Sequence, residues 1–216
     1  MPMQYVLTAE EQKLNDLWEK HVRTEFDAHS ADNAVGTMVA NPLVKLIPVM
    51  TGGDGKNEVH QFYAEHFVSQ IPADIEIVNV SRTIGQERLV EEMVCRFTHS
   101  VEMDWMLPGI APTGKRVELA LLLVVQFDGD KLAHEHAYWD QASVLVQLGL
   151  LQPKGLPVGG AECARSLLDR NMPLNKLIRR NKTRSSKPTP VPAKSSALPS
   201  PDFNSPWLPF WFSRLW

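Results

Sequence analysis

Two side chains in the middle of the chain combine a titratable group with an apolar setting. His99 follows Met93, Cys95 and Phe97 and precedes Val101, Met103 and Trp105, so a spacing of two places it on the apolar face of a strand. Burial lowers the pKa of an imidazole and keeps it neutral near pH 7, which is the state a general base needs. Glu135 sits within His134-Glu135-His136 and shares a strand face with Ala133, Ala137 and Trp139. Small alanines leave room for a ligand. A carboxyl against apolar walls has a raised pKa and can deliver or accept a proton. Together Glu135 and His99 suit proton exchange at a carbon next to a carbonyl. The plainer alternatives are a core histidine with both ring nitrogens satisfied, and a surface or dimer-interface carboxylate paired with a cation. Trp105, Trp139, Tyr63, Phe67 and Met103 form the candidate substrate-binding wall, with ordinary core packing as the alternative.

Other chemistries find less support. His134 and His136 alternate as strand ligands do, but no further ligand stands at suitable spacing, so no metal is expected. Asp140 is explained by helix capping. Glu102 and Asp104 fall on the opposite strand face from His99, solvated or at an interface. Thr51-Gly52-Gly53-Asp54-Gly55 lacks the spacing and the lysine of a phosphate loop, and Gly-x-Ser-x-Gly does not occur. No cofactor is expected. The two cysteines, Cys95 and Cys163, make no disulfide framework, and Cys95 within a strand pattern reads as an inert buried thiol.

The elements that must position these groups follow from periodicity. Thr8-Ala9-Glu10-Glu11 is a capping box, after which Leu14, Leu17, Trp18, Val22 and Phe26 form a helical stripe. Asp32 is placed to cap a second short helix reaching about Val39, which Asn41-Pro42 breaks. Leu43 to Met50 reads as a first strand and Thr51–Gly55 as a turn. A helix over 56–70 carries Val59, Phe62, Tyr63, His66 and Phe67 on one side. Strands are then predicted over 75–84, 89–107, 117–127 and 131–138, with a hairpin turn at Asp128-Gly129-Asp130 and a longer turn over 108–114. Asp140 caps a helix over 141–148 that Gly149 ends, and 155–169 adds a surface helix. Helices first and a meander afterwards make an α+β fold, in which a curved antiparallel sheet wraps around the N-terminal helices.

Composition sets the remaining bounds. The chain has 216 residues, with 44% hydrophobic and 22% charged, ordinary for one globular domain. From Asn171 onward eight Lys/Arg face the single acid Asp202, so the overall −3 divides into a tail of +7 and a body of −10. An acidic body is a poor partner for phosphate, so no nucleic acid is expected. Residues 1–170 are expected to form the domain. Residues 171–216, basic and rich in Pro and Ser, are expected to form a disordered tail ending in the aromatic tip Trp207–Trp216. Such a tip on a basic linker could touch an anionic membrane or a partner groove, although no membrane span is expected. No secretory signal is visible at the N-terminus, so a cytoplasmic protein is expected.

The element order, together with Thr98-His99…Glu102-Met103-Asp104-Trp105…Leu107-Pro108-Gly109…Pro112-Thr113-Gly114 and His134-Glu135-His136…Tyr138-Trp139-Asp140-Gln141…Leu148-Gly149, resembles the SnoaL-like polyketide cyclase branch of the nuclear-transport-factor-2-like (NTF2-like) superfamily. The resemblance covers roughly residues 8–150. It implies a cone of sheet closed by helices, with a pocket inside it and a homodimer formed through the sheet. It further implies cofactor-independent acid/base chemistry (cyclisation, isomerisation or dehydration) on a small apolar carbonyl compound such as a polyketide or terpenoid secondary metabolite. The family's catalytic carboxylate or histidine projects from the last strands into the cone, which fits Glu135. Two departures are visible. Relatives often carry a histidine in the first strand two residues before a proline, where this chain has Leu46 before Pro48. An epoxide hydrolase of this fold would show Arg-x-Asp, where Arg96 is followed by Thr98. The alternative reading is a non-catalytic ligand-binding or dimerisation module of the same fold.

Overall fold

Thr8 starts the first helix as its context demands. In the computed structural model, which describes residues 6–182, its hydroxyl accepts from Glu11 N at 3.3 Å while the Glu11 carboxylate accepts from Thr8 N at 2.7 Å. This reciprocal cap opens α1 (Ala9–Phe26). Ser30 rather than Asp32 caps α2 (Ala31–Gly36), because its hydroxyl lies in reach of Asn33 N; Asp32 instead pairs with His60 at 2.8 Å.

The first strand begins earlier than the sequence suggests. β1 (Met38–Leu46) runs through Asn41-Pro42, and Pro42 falls where the pairing with β6 shifts register between Met38 and Leu43. A proline without an N–H is tolerated at such an irregularity. The expected turn over 51–55 contains a further strand, β2 (Thr51–Asp54), antiparallel to β1. Its glycines are there for clearance: a Cβ on Gly52 would lie 2.0 Å from the Val44 carbonyl oxygen, and one on Gly53 2.5 Å from the Glu58 backbone. The helix over 56–70 is present, but changes pitch. α3 (Lys56–Gln61) runs into a π-helical stretch Phe62–Phe67 and a 3₁₀ turn Val68–Gln70.

Four strands follow: β3 (Glu76–Ile84), β4 (Arg88–Thr98), β5 (Arg116–Asp128) and β6 (Lys131–Trp139). The six strands form one curved sheet in the order β2-β1-β6-β5-β4-β3. All neighbours are antiparallel except β1 and β6, which run parallel. β4 stops at Thr98, nine residues short of the expected end at Leu107. There the chain turns across the sheet end, where His99 N donates to Lys115 O and Gly114 N to His99 O. Residues 103–107 coil into tight turns that bury Met103, Trp105, Met106 and Leu107 together, which strand alternation could not do. Gly129 takes φ 61° in the β5–β6 hairpin. Asp140 then caps α4 (Gln141–Gln147) through Ser143 N, and Gly149, at φ 72°, follows its end. α5 (Ala161–Leu168) packs on β5, where Arg165 reaches Glu118.

The core lies between the concave face of the sheet and α1 with the α3 segment, and Trp18, Val59, Tyr63, Phe97 and Leu119 are all buried in it. This is the expected α+β cone. Contacts divide the chain into residues 1–177 and residues 178–216. Lys176–Lys182 form α6. Seven residues with no Pro or Gly among them, led by Lys, Leu, Ile and Arg, are adequate helix formers. The rest of the expected disordered tail, with its aromatic tip, lies outside the described residues. Among those described, no helix is long and apolar enough to cross a membrane.

Candidate functional site

One face of α1 carries Leu14, Trp18, His21 and Glu25, all buried, at steps of four, three and four residues. That spacing puts an imidazole and a carboxylate one turn apart on the core-facing side. Opposite them, β6 aims Glu135 into the cone beside Ala137 and Trp139, because alternate strand residues share a face. His21 Nε2 lies 3.1 Å from Glu25 Oε1 and 3.8 Å from Glu135 Oε2. Tyr63, from the π-helical stretch, brings its hydroxyl to 3.4 Å from the same nitrogen. Glu25, Tyr63 and Glu135 all face a cavity of about 420 Å³ inside the cone, with His21 just behind the wall.

The other ring nitrogen fixes the histidine. Nδ1 lies 2.6 Å from Thr37 Oγ1, and that hydroxyl spends its one proton on Ala34 O at 2.7 Å. Thr37 therefore accepts, Nδ1–H donates, and Nε2 is left to face the two carboxylates. Burial alone would lower the His21 pKa; the Glu25 and Glu135 charges outweigh it and raise it to about 10. Burial and the Glu25 charge push Glu135 up, against the pull of His21. Burial, then Glu25 and Glu135, hold the Tyr63 phenol well above its ordinary range, so it keeps its proton. Glu135 Oε2 has no hydrogen-bond partner among the described residues. The cluster thus holds protons at neutral pH next to a cavity, which is what general acid/base work requires.

A second network borders the same cavity. A bulge in β3 skips Val80, so that Asn79 and Arg82 both face inward, opposite Met93 and Glu91. Glu91 accepts from Trp18 Nε1 at 2.7 Å, from Asn79, and from Arg82 Nε at 2.9 Å. Arg82 also reaches Asn15 at 2.7 Å and Glu19 at 2.6 Å, tying α1 to β3.

The structure brings most of the sequence candidates together. Glu135, Tyr63, Phe67, Trp105 and Trp139 all line the cavity. His99 and Met103 are fully buried but do not line it. His99 follows the end of β4 with Nδ1 3.2 Å from Thr113 Oγ1, and burial lowers its pKa. The pairing of Glu135 with His99 is therefore not seen; the imidazole beside Glu135 is that of His21. Leu46 lines the cavity, and the imidazole beside Glu135 arrives from α1. The half-buried pair His134 and His136 stacks at 4.7 Å on the opposite sheet face from Glu135, and burial, then the charges of His136 and Arg88, lower His134 to about 4. His21 and Glu25 are missed by a reading that follows only apolar residues. The signal is their place in the Leu14–Trp18 seam.

No protein-family model matches the chain, and no curated protein is significantly similar to it. Solved structures do match. A protein assigned as a SnoaL-like polyketide cyclase from Jannaschia sp. CCS1 superposes with a TM-score of 0.52 at 13% identity, covering 69% of this chain and 100% of that one. TsrD from Streptomyces laurentii gives 0.51 at 14% identity, covering 68% and 100%. AclR from Streptomyces galilaeus, assigned as a hydroxylase, gives 0.50 at 16% identity, covering 66% and 99%. At these identities the likeness is one of fold. The chain shares the fold of these structures, the α+β cone of curved sheet and helices expected from the sequence.

Proposed function

We propose that the protein is a cofactor-independent acid/base enzyme acting on a small, largely apolar carbonyl compound, with cyclisation, isomerisation or dehydration as the reaction. The observation that carries this reading is the His21–Glu25–Glu135 cluster opening on the cavity. Glu135 exchanges a proton with the carbon next to the carbonyl. His21, paired with Glu25, sets how tightly Glu135 holds it, and Tyr63, still protonated, offers a hydrogen bond to the oxygen that gains charge. The aromatic wall of Phe67, Trp105 and Trp139 holds an apolar substrate and excludes water. A polyketide or terpenoid secondary metabolite fits this lining. A homodimer through the outer sheet face is part of the proposal, supported by exposed Leu122 and Tyr138 on that face.

The test is metabolite profiling of a deletion strain beside one complemented with Glu135→Gln. An intermediate that accumulates in both shows an enzyme that needs Glu135, and turnover on that intermediate should fall at least ~100-fold in the variant. A normal profile in the complemented strain would remove Glu135 from the chemistry. Ligand binding without turnover by the wild type would favour a binding module.

A further inference from the structure

Two carboxylates and one imidazole, drawn from α1 and β6, converge at the cavity wall in the way the ligands of a divalent cation do. The distances suit one ion. Nε2 of His21 lies 3.1 Å from Glu25 Oε1 and 3.8 Å from Glu135 Oε2, and the three atoms all lie within 4.8 Å of one another. Tetrahedral ligands at about 2.1 Å from a zinc ion stand ~3.4 Å apart, between the first two values. Two further observations point to a ligand. His21 donates its Nδ1–H to Thr37, which donates onward to Ala34 O, the outer-shell arrangement that fixes a metal-binding imidazole by its other nitrogen. Glu135 Oε2 is buried with no hydrogen-bond partner among the described residues, beside that nitrogen.

We propose that His21, Glu25 and Glu135 form a site for a divalent first-row metal ion such as Zn²⁺, which enters from the cavity and blocks proton transfer. Nε2 gives up its proton to become a ligand, and both carboxylates bind ionised, so no oxidant or further reactant is needed. The site is built from the same side chains as the acid/base reading, but its binding does not depend on turnover.

Equilibrium dialysis of the full chain with Zn²⁺, and titration with Co²⁺ followed by visible absorbance, test it. Near pH 7.5 we expect one ion per chain. Calorimetry in buffers of different ionisation enthalpy should show at least one proton released per ion. Glu25→Gln and Glu135→Gln should each weaken binding ~100-fold or more, and Thr37→Val ~10–100-fold. The double change His134→Ala, His136→Ala should leave it intact. Near-UV circular dichroism identifies a variant that fails to fold, in which case the proton count and Thr37→Val decide. A wild type that binds no ion overturns the proposal. So does binding that survives in folded Glu135→Gln and is lost with the His134 and His136 pair. Undiminished turnover in the Zn²⁺-loaded protein refutes the block alone, whereas a metal-free protein that binds substrate without turning it over refutes the acid/base reading alone.

Discussion

The charge on His21 should be readable as a dependence of stability on pH. Its pKa of about 10 in the folded protein stands against 6.5 for a free side chain. Between those values the folded chain holds a proton that the unfolded chain has released. The stabilisation is therefore complete below pH 6.5 and is lost as pH rises toward 10, at about 1.4 kcal/mol per unit. From pH 7.0 to 8.5 the loss is ~2 kcal/mol. Any proton that Glu135 holds above its ordinary range changes stability in the same direction. Burial pushes the Cys95 thiol up to about 12, which lowers stability only above the ordinary thiol value of 9.0, so the series stops short of that pH. Urea denaturation of wild type and His21→Gln at half-unit steps measures the difference. The wild-type curve should fall by ~2 kcal/mol relative to the variant across this range. Superimposable pH dependences would refute the assignment of a shared proton to this cluster.

Three other outcomes follow from the same geometry. Tyr63→Phe removes the hydroxyl 3.4 Å from His21 and should lower turnover by ~10-fold or more while the melting temperature stays close to wild type, as differential scanning calorimetry would record. Asp140→Ala removes the α4 cap and should cost about 1 kcal/mol in urea denaturation, with the fold retained. Gly52→Ala forces a methyl to 2.0 Å from the Val44 carbonyl at a φ of 132°. That should cost more than ~2 kcal/mol, and a variant as stable as wild type would mean that β1 and β2 are not so closely apposed.

The legible parts of this sequence are those in which the cause is local. Thr8 with Glu11, and Asp140 with Gly149, carry their caps within a few residues, and Glu135 shows its strand face by alternation with Ala137 and Trp139. Pro42 misleads because a proline is a breaker only where its missing N–H matters, and the register shift in β1 removes that need. Gly52 and Gly53 look like a turn because their reason, the nearness of the Val44 and Glu58 backbones, is tertiary. The alternation through His99 suggests a strand reaching Leu107, but the ladder ends at Thr98 and the chain turns across the sheet end. The partnership of His21 and Glu25 with Glu135 joins positions more than a hundred residues apart, and no window of sequence contains it.

The hydrogen bond from His21 to Thr37 leads away from the cavity, into the junction of α2 and β1, where Ala34 O accepts the next hydrogen bond, from the Thr37 hydroxyl. Shape and reactivity are thereby separable in this molecule. Phe67, Leu121, Trp105 and the other walls of the cone can be exchanged to admit a different guest, because none of them belongs to this relay. Conversely, a change at Thr37, which lies outside the cavity wall, removes the acceptor that orients His21 toward Glu25 and Glu135. A library aimed at new substrates should vary the wall and leave the α2–β1 junction alone, and a library aimed at new pH optima should do the reverse.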